Sequence, residues 1–517
     1  MPALVSLVGV GPGDPGLLTL RGVRAIARAD TVLHDALVHP ATLRHAREGA
    51  EILYAGKRKG QDSASQDEIN HMMLYRARQG RRVARLKGGD PLLFGRGAEE
   101  AAFLAAHDVP FEVIPGVTAA LGAGAYAGIP LSHRELSSSI ALVTSAERPD
   151  KALSAHDWSR LAQATQTLVF YMGVSHLADD AATLIAHGRD ANTPAAVVQW
   201  ATHPEQRVVT ATLATIAERC RDEGVGSPAV VIVGEVVSLR ETLRWWDAGP
   251  LFARKVLVTR AREQSAAMLD ELVEEGAIPV EVPVLCFEEP SDLEPLARAV
   301  GELAHGAYAV VAFTSQNGVD RWFRALDVRG LDARAFGRAK VVAIGPATAE
   351  ALKVRGVRAD AVAKEFRGEG VATEIERLLG DRVRGARVLI ARAEVARDAL
   401  PKALAAAGAV PDVVAVYKTV SPPVGEIDAL RERLARGEID AVTFTSSSTV
   451  THLCDALGEG AAELFTRTRV ASIGPVTSET ARGRGLRVDI EAREYTVPGL
   501  LEALREHFTH ERSRSKS

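Results

Sequence analysis

Short apolar runs that end in glycine alternate, along the first half of the chain, with longer segments whose apolar residues recur at helical spacing. Leu4 to Val10 is typical of a buried strand, and it ends in the turn Gly9-Val-Gly-Pro-Gly-Asp14. Leu17 to Ala29 has the period of an amphipathic helix, and Thr31-Val-Leu-His-Asp35 predicts a second strand with Asp35 at its carboxyl end. This alternation predicts an α/β fold in which ligands bind beyond the carboxyl ends of parallel strands.

The same pattern continues through a cationic loop. Glu51 to Tyr54 predicts a third strand, Gly56-Lys-Arg-Lys-Gly60 follows it, and Gln66 to Arg78 predicts the next helix. Three cations between glycines suit an anionic substrate, although a solvated loop is the more usual meaning of such a run. Ser227 to Val236 predicts the last strand of this half, which closes at Trp246.

The stretch from Arg85 to Glu100 combines several features that are typical of a ligand-binding loop. Its glycines, Gly88 and Gly89, let the backbone approach a ligand closely, and Asp90 can accept hydrogen bonds from hydroxyl groups or cap the next segment. A simple connector between strand and helix needs only two glycines, so the further glycines and cations of this stretch favour a binding loop. The turn after the first strand matches neither the dinucleotide fingerprint nor the P-loop.

The second half contains an internal repeat. Val256 to Glu263 recurs as Val388 to Glu394, Phe313 to Val319 as Phe444 to Val450, and Ile344 to Thr348 as Ile473 to Thr477, at offsets of 132, 131 and 129 residues. The repeat predicts two copies of one α/β lobe, each with a Thr-Ser turn and a Gly-Pro-x-Thr turn after buried strands, and a ligand between the lobes. Such turns individually cap helices. Free backbone amides at helix starts also bind carboxylates, so four such turns suit a molecule with many carboxylates.

Composition narrows the class of ligand. A net charge of −4 over 517 residues argues against nucleic acid, whose binding needs accumulated cations, and favours a small molecule. The three cysteines, Cys220, Cys286 and Cys454, lack metal-ligand spacing, so we expect neither a disulfide framework nor a metal site. No apolar run could span a bilayer and no basic leader is present, so we expect a cytoplasmic protein without a membrane partner.

Two segments are expected to lie outside the folded domains. Asp247 to Ala253 predicts a linker that is too short for the two halves to separate widely. Thr509 to Ser517 is rich in Arg, Lys and Ser without apolar periodicity, which predicts a disordered tail.

Six motifs give the first half a family resemblance. They are Gly9-Val-Gly-Pro-Gly-Asp-Pro15, Lys57-Arg58, Arg85 to Glu100, Pro115-Gly-Val-Thr118, Gly128-Ile-Pro130 and Thr167-Leu-Val-Phe-Tyr-Met-Gly173. In this order they resemble uroporphyrinogen-III C-methyltransferase over about Pro2 to Trp246. The resemblance implies an enzyme that uses S-adenosyl-L-methionine and releases S-adenosyl-L-homocysteine, with two α/β domains around a cleft and a homodimer as the common assembly.

The resemblance also assigns site residues. It implies cofactor contacts at Pro12, Gly88, Gly89, Asp90, Leu93, Thr118, Ala119, Met172 and Ala201, the last of which stands where the family usually has glycine. It gives Asp35 a role in the loss of a proton after methylation, and Lys57 a role in returning a proton or binding a substrate carboxylate. Without that context, Asp35 is better explained as a helix N-cap. Thr144-Ser-Ala146 replaces the family's Thr-Gly-His, which bears on substrate handling and not on the cofactor fold.

The second half resembles uroporphyrinogen-III synthase in its Phe-Thr-Ser and Ile-Gly-Pro-x-Thr runs and in Val416-Tyr-Lys-Thr419. The resemblance implies one lobe of residues 254–285 with 420–508, a second lobe of residues 286–419, and a two-strand hinge. It matches Tyr417 to a tyrosine that helps a hydroxyl group leave, whereas a packed hinge aromatic is the alternative. The turns then contribute the substrate contacts Thr314, Ser315, Gly345, Thr348, Thr445, Ser446, Gly474 and Thr477.

Together the two resemblances predict a bifunctional enzyme. The second half closes hydroxymethylbilane to uroporphyrinogen III with inversion of the last ring, and the first half adds two methyl groups to give precorrin-2, towards sirohaem or cobalamin. Two alternatives stay open: the second half is a non-catalytic tetrapyrrole-binding or regulatory module, or the first half methylates a later corrinoid precursor. No nucleotide fingerprint precedes the first half, so we expect no NAD-dependent dehydrogenase and chelatase module.

Overall fold

The structure is a computed structural model that describes residues 4–56, 65–145, 156–365, 367–420 and 422–515; Lys57 and Ala146 therefore lie outside the described residues. The chain divides into two compact units. One contains the residues up to Lys255, Asp270–Pro279 and the residues from Leu504 onward, and the other contains Val256–Leu269 and Val280–Ala503. Both units are built from sheets and helices, which confirms the α/β fold class.

The first unit begins with a parallel sheet whose strand order is β3-β2-β4-β1-β5. In chain order its elements are β1 (Val5–Gly9), α1 (Leu20–Arg28), β2 (Thr31–His34), β3 (Glu51–Tyr54), α2 (Gln66–Arg78), β4 (Val83–Lys87), α3 (Gly97–Ala106), β5 (Phe111–Ile114) and α4 (Ala119–Ala127), with 3₁₀ turns at Pro15–Leu17 and Pro40–His45. Leu7 belongs to the core cluster that contains Met73 of α2, and Val8 to the cluster that contains Ile26 of α1. Successive strand residues point to opposite faces, so both faces of this sheet are buried under helices.

A second, mixed sheet completes the first unit, with strand order β6-β7-β10-β8-β9. Its elements are β6 (Ile140–Thr144), α5 (Trp158–Ala164), β7 (Thr167–Tyr171), α6 (Leu177–Ala186), β8 (Pro194–Gln199), β9 (Arg207–Thr212), α7 (Ile216–Asp222), β10 (Ala229–Val233) and α8 (Arg240–Leu243), with 3₁₀ turns at Val174–His176 and Glu235–Leu239. Ala120 of α4 shares a core cluster with Val198 of β8 and Tyr171 of β7. The helix that follows the first sheet therefore packs on the second.

The rest of the chain forms two further sheets. Its elements are β11 (Lys255–Val258), α9 (Arg262–Glu274), β12 (Ile278–Glu281), β13 (Cys286–Glu288), α10 (Glu294–Ala304), β14 (Val310–Phe313), α11 (Gln316–Asp327), β15 (Lys340–Ala343), α12 (Pro346–Val354), β16 (Ala361–Val362), α13 (Gly368–Leu379), β17 (Arg387–Ala393), α14 (Ala399–Ala406), β18 (Val410–Val420), α15 (Val424–Ala435), β19 (Ala441–Phe444), α16 (Ser447–Leu457), α17 (Ala461–Leu464), β20 (Arg469–Ser472), α18 (Pro475–Gly483), β21 (Val488–Glu491) and α19 (Val497–Ser515), with 3₁₀ turns at Ala333–Phe336 and Gly380–Val383.

The repeat found in the sequence appears as two sheets with matching strand positions. One sheet has the order β12-β11-β19-β20-β21, and the other has the order β13-β18-β17-β14-β15-β16. The parallel run β11-β19-β20 carries the repeated motifs in the same order as the parallel run β17-β14-β15. β11 pairs with β19, in register from Val256 with Ala441. The first strand of this half of the chain therefore belongs to the same sheet as the last three strands, β19, β20 and β21.

The carboxy-terminal segment is a helix, and the prediction of a disordered tail from Thr509 is wrong as far as Ser515. α19 continues to that residue, and the Thr509 hydroxyl donates to the carbonyl of Arg505 at 2.8 Å. Earlier in the same helix, Arg505 pairs with Glu275 at 2.8 Å and the guanidinium of Arg254 stacks on the Phe508 ring at 4.7 Å. These contacts lie within the first unit, to which the helix belongs from Leu504 onward. The helix therefore forms although its last residues lack apolar periodicity. Among the described helices, none combines the length and apolar character needed to cross a membrane.

Candidate functional site

Four strands of the first sheet end at one edge, where their loops converge. Because β1, β2, β4 and β5 run parallel, their carboxyl ends deliver Pro12, Asp35, Gly88 to Asp90 and Pro115 to Thr118 to that edge. The loops for which the sequence predicts ligand contacts therefore lie at one edge of the sheet.

The loops of β1, β4 and β5 are in direct backbone contact. The amide of Gly89 donates to the carbonyl of Gly11 at 2.7 Å, and the amide of Gly11 donates back at 3.4 Å. A Cβ on Gly9 would lie 2.5 Å from the backbone nitrogen of Gly116, which leaves no room for a side chain. Gly89 has φ +69°, a conformation that glycine adopts without strain.

Asp90 ties the β4 loop to its neighbours. Its Oδ2 accepts the amide hydrogen of Gly116 at 3.2 Å, and its Oδ1 accepts the amide hydrogen of Leu92 at 2.9 Å. Each carboxylate oxygen keeps a second lone pair, so Asp90 can hold the loop and still accept a hydrogen bond from a ligand hydroxyl.

Tyr171, at the end of β7, connects the start of α4, where Thr118 and Ala119 lie, with Met172, the next residue of the chain. The Thr118 hydroxyl and the Tyr171 phenol are 2.6 Å apart, and the amide of Ala120 donates to the same phenol at 3.1 Å. Burial raises the pKa of Tyr171, which keeps its phenol protonated at neutral pH. Met172 follows with φ +54° and a side chain that is half exposed. The second sheet thus places Met172 beside the start of α4.

Pro12 and Ala201 approach the same helix from two other loops. A Cβ on Gly122 of α4 would lie 2.4 Å from Cγ of Pro12 and 3.0 Å from Cγ2 of Thr202. The amide of Asp14 donates to Oγ1 of Thr202 at 2.9 Å, which links the β1 loop to the segment of Ala201. Leu93 packs against the core cluster that holds Ala201.

Backbone strain concentrates around these residues. Seven described residues other than glycine have positive φ. One of them, Met172, is a predicted cofactor contact, and four more lie within three residues of one along the chain: Phe94, Arg96, Trp200 and Thr202. Such conformations cost about 1–3 kcal/mol each and gather where a site requires a particular backbone path. The strain therefore supports the same location that the strand ends indicate.

Asp35 closes a local turn and contacts Arg85 of β4. Its Oδ1 accepts the amide hydrogen of Leu37 at 3.1 Å and so closes a local turn, while its Oδ2 lies 3.3 Å from Nη2 of Arg85. The following 3₁₀ helix is capped by His39, so Asp35 does not cap a helix. Its side chain is 28% exposed and can be reached by a ligand. Lys57, the other residue with a predicted proton role, lies outside the described residues.

Sequence reasoning missed a group of buried charges beside Asp35. Arg85 and Lys87 of β4 and Glu100 of α3 are almost completely shielded from solvent. Nζ of Lys87 lies 2.9 Å from Oε1 of Glu100, and Nε of Arg85 lies 3.4 Å from the same oxygen. Burial lowers the pKa of Lys87 and the charge of Arg85 adds to that effect, while Glu100 opposes it. The available signal was the pair of basic residues at alternate positions of a strand.

In the other unit, Tyr417 of β18 contacts Ser315 at the start of α11. Their oxygens are 3.1 Å apart, and Ser315 Oγ also accepts the amide hydrogen of Gly318 at 3.0 Å as the helix N-cap. The Tyr417 ring packs edge-on against Phe287 at 5.3 Å. Burial raises the pKa of Tyr417, and the bond to Ser315 partly offsets the rise. Tyr417 is thus a packed aromatic with a protonated, hydrogen-bonded phenol.

The predicted substrate contacts of this unit lie at the starts of four helices. In one lobe these are Thr314 and Ser315 before α11 and Gly345 and Thr348 at α12; in the other they are Thr445 and Ser446 before α16 and Gly474 and Thr477 at α18. Each lobe joins its two helix starts by a side chain: Gln316 donates to the carbonyl of Ala347 at 3.1 Å, and Ser447 to that of Val476 at 3.3 Å. Each lobe therefore presents two adjacent positive helix ends, an arrangement that suits carboxylates.

One aromatic residue beside these helix ends was also missed. A Cβ on Gly474 would lie 2.8 Å from the ring of Tyr495, which is itself exposed. Within the described part of the chain, no three His, Cys, Asp or Glu side chains are grouped so that they could hold a metal ion.

Comparison with known proteins identifies relatives of both halves. The family of tetrapyrrole (corrin/porphyrin) methylases matches residues 4–217, and the family of uroporphyrinogen-III synthase HemD matches residues 266–502. The porphyrin biosynthesis protein HemD of Ruminiclostridium josui is 36% identical over 502 residues, which cover 97% of each chain.

Other relatives match the first half alone. The siroheme synthase of Stutzerimonas stutzeri is 51% identical over 250 residues, and this match spans 48% of the present chain and about half, 53%, of that relative. The solved uroporphyrin-III C-methyl transferase of Thermus thermophilus, complexed with S-adenyl homocysteine, is 40% identical, with a TM-score of 0.39; the match covers 46% of this chain and 100% of that one.

Proposed function

Because the chain belongs to the porphyrin biosynthesis protein HemD family, with a tetrapyrrole methylase half and a uroporphyrinogen-III synthase half, we propose that it makes uroporphyrinogen III and then methylates it twice. Hydroxymethylbilane is the first substrate and precorrin-2 the final product, which serves sirohaem or cobalamin synthesis. The observation that carries this proposal for the first half is the meeting of the β1, β4 and β5 loops at one edge, where Gly89 and Gly11 are hydrogen-bonded.

The residues at that edge fit S-adenosyl-L-methionine. Asp90 and Thr118 offer hydrogen-bonding oxygens, and Pro12, Leu93 and Met172 offer apolar surface that is not fully buried. A nucleoside joined to an amino acid needs both kinds of contact. When bound, this cofactor supplies a methyl group that its sulfonium charge already activates. The chain's own residues then mainly have to align the methyl group with a nucleophilic pyrrole carbon.

Asp35 accepts the proton that the tetrapyrrole loses after methylation. Its carboxylate stands at the carboxyl end of β2, at the same edge as the cofactor loops, and part of it is exposed. Nη2 of Arg85 lies 3.3 Å from Oδ2 of Asp35 and can hold the carboxylate in place as it acts as the base. Lys57 remains proposed as a proton donor or carboxylate ligand on the strength of its motif alone.

In the second half, the paired helix starts bind carboxylates of the linear tetrapyrrole and Tyr417 donates a proton to the departing hydroxyl group, which leaves as water. A phenol whose pKa is raised by burial stays protonated at neutral pH and can act in this way. Ser315 can donate its own hydroxyl hydrogen to the Tyr417 oxygen, which leaves the phenol hydrogen free for the substrate.

The test is to give the full-length protein hydroxymethylbilane without cofactor and to separate the oxidised porphyrin isomers by chromatography. We expect the type III isomer in excess over the symmetric type I isomer that forms spontaneously. Type I isomer alone, from protein that is folded by circular dichroism, would mean that the second half only binds tetrapyrrole.

We also propose a cytoplasmic homodimer formed through the methylase half, without nucleic acid or metal. Sedimentation of the full chain at low micromolar concentration tests the assembly. A monomer under these conditions would remove the dimer from the proposal and leave both reactions untouched.

A further inference from the structure

Three buried side chains lie between the first sheet and the helices α2 and α3: Arg85, Lys87 and Glu100, which we name the buried charge cluster. Arg85 and Lys87 stand at alternate positions of β4, so both point to the face that α2 and α3 cover. Glu100 enters from α3 and its side chain is completely buried, while the two cations are 5% and 6% exposed.

The buried charge cluster contacts Asp35 on one side and the start of α2 on the other. Nη2 of Arg85 lies 3.3 Å from Oδ2 of Asp35. On the other side, Nε2 of Gln66 donates to Oε1 of Glu100 at 3.0 Å. Gln66 is the first residue of α2.

Stability does not account well for such a cluster. Charges removed from water lose hydration, and a buried ion pair is often no more stabilising than apolar residues of the same size. Here two cations face two carboxylates, Glu100 and Asp35, and only Asp35 is open to solvent. One end of the network is therefore available to a ligand while the other three groups are closed off.

We infer that the buried charge cluster is a positioning device for methyl transfer, in which Glu100 orients Arg85 and Arg85 holds the Asp35 carboxylate towards the substrate. This inference rests on the proposed role of Asp35 as the proton acceptor. Without Arg85, the described contacts leave Asp35 with the amide of Leu37 bonded to one oxygen, and the carboxylate can turn away. Arg85, Lys87 and Glu100 do not need to touch the substrate.

A double-mutant cycle in the full-length protein tests the inference. Arg85→Gln should lower kcat for methylation of uroporphyrinogen III about 10-fold to 100-fold, the range for a misplaced group, with KM and cofactor affinity changed less than about threefold. Arg85→Lys should recover much of the loss because it keeps the charge. In an Asp35→Asn background, Arg85→Gln should have little further effect because it acts through the carboxylate already removed.

Arg82→Gln is the matched control. Arg82 immediately precedes β4, at the opposite end of the strand from Gly88, and the same substitution there should leave kcat unchanged. Calorimetric titration with S-adenosyl-L-methionine shows whether each variant is folded. If Arg85→Gln does not bind the cofactor, Glu100→Gln takes its place in the cycle, since it keeps the shape of Glu100 and removes the charge that orients Arg85.

The outcomes separate two failures. If Asp35→Asn is fully active, the proposed role of Asp35 is wrong. If Asp35→Asn is slow and Arg85→Gln lowers kcat by the same factor in that background as in the unsubstituted protein, the buried charge cluster is only structural and the inference is overturned. The inference is also overturned if Arg85→Lys recovers none of the activity that Arg85→Gln loses.

Discussion

Replacing Tyr417 with phenylalanine separates the chemistry of ring closure from the packing of its lobe. The phenylalanine ring keeps the edge-on contact with Phe287 at 5.3 Å, while the hydroxyl group opposite Ser315 is lost. Ser315 still accepts the amide hydrogen of Gly318, so the cap of α11 is preserved. The change thus removes one neutral hydrogen bond and the group that we propose as the acid.

The two contributions differ in size. One neutral hydrogen bond adds about 0.5–1.5 kcal/mol to stability, which corresponds to a melting-temperature change of about 1–6 °C in a domain of this size. Loss of a general acid lowers turnover by about 10²–10⁴-fold, and a factor of 10² alone corresponds to about 2.7 kcal/mol of barrier. We therefore expect a large loss of turnover in a protein that remains folded, with clean type III product.

The assay is cyclisation of hydroxymethylbilane without cofactor, with product isomers separated by chromatography. Tyr308→Phe is the matched control. Tyr308 is buried in the same core cluster, and its hydroxyl oxygen lies 2.6 Å from Oδ2 of Asp412 and 3.0 Å from Oε2 of Glu302, to either of which it can donate. That variant should lose at least as much thermal stability with unchanged turnover. Full turnover of Tyr417→Phe, or a loss matched by Tyr308→Phe, would refute the acid role.

The direction of the Tyr417 pKa adds a pH test. Burial raises the pKa above the usual tyrosine value of about 10, so the protonated form persists through neutral and mildly alkaline pH. Activity that needs this proton is present below the raised pKa and is lost only as the pH rises through it. A Tyr417-dependent fall in turnover between about pH 7 and pH 9 would contradict the assignment.

Further predictions concern the other residues of the two sites. Gly89→Val should weaken S-adenosyl-L-methionine binding at least tenfold by calorimetry, because valine is strained at φ +69°. Gly80→Val is the control: Gly80 has φ +78° in a turn with open space around its Cβ, so valine there should be similarly strained but should leave cofactor binding unchanged. Asp35→Asn should slow methylation about 10²-fold in steady-state kinetics with cofactor affinity retained, and unaltered kcat would exclude it as the base. Ser315→Ala should lose about 1 kcal/mol of stability, like the cap variant Ser65→Ala in α2, but only Ser315→Ala should also slow ring closure; equal turnover in both would remove Ser315 from the site.

Local signals in the sequence were enough to predict the elements that carry their own caps. α2 spans Gln66–Arg78 as predicted because Ser65 and Glu68 form a reciprocal capping box at its start. The helix predicted from Leu17 begins only at Leu20, because Asp14 caps a short 3₁₀ turn at Pro15–Leu17 and Thr19 caps the helix itself. Two capping residues this close together, Asp14 and Thr19, are difficult to rank from sequence alone.

Contacts between distant residues were not predictable in this way. Glu99 and Glu100 are neighbours on α3, yet Glu99 is exposed and pairs with Arg96, whereas Glu100 is buried against β4. Only the packing of α3 on the sheet decides which of the two carboxylates meets Arg85. The contact between Tyr417 and Ser315 likewise depends on the pairing of strands far apart in sequence.

In the proposed function, one chain makes uroporphyrinogen III and then methylates it twice. The most direct test gives the full-length protein hydroxymethylbilane and S-adenosyl-L-methionine with a deuterated methyl group, and follows the tetrapyrrole products by mass spectrometry. We expect a dimethylated product that carries two labelled methyl groups, with type III isomer accumulating when the cofactor is withheld. Type I isomer without the cofactor, or labelled product only when ready-made uroporphyrinogen III is supplied, would contradict it.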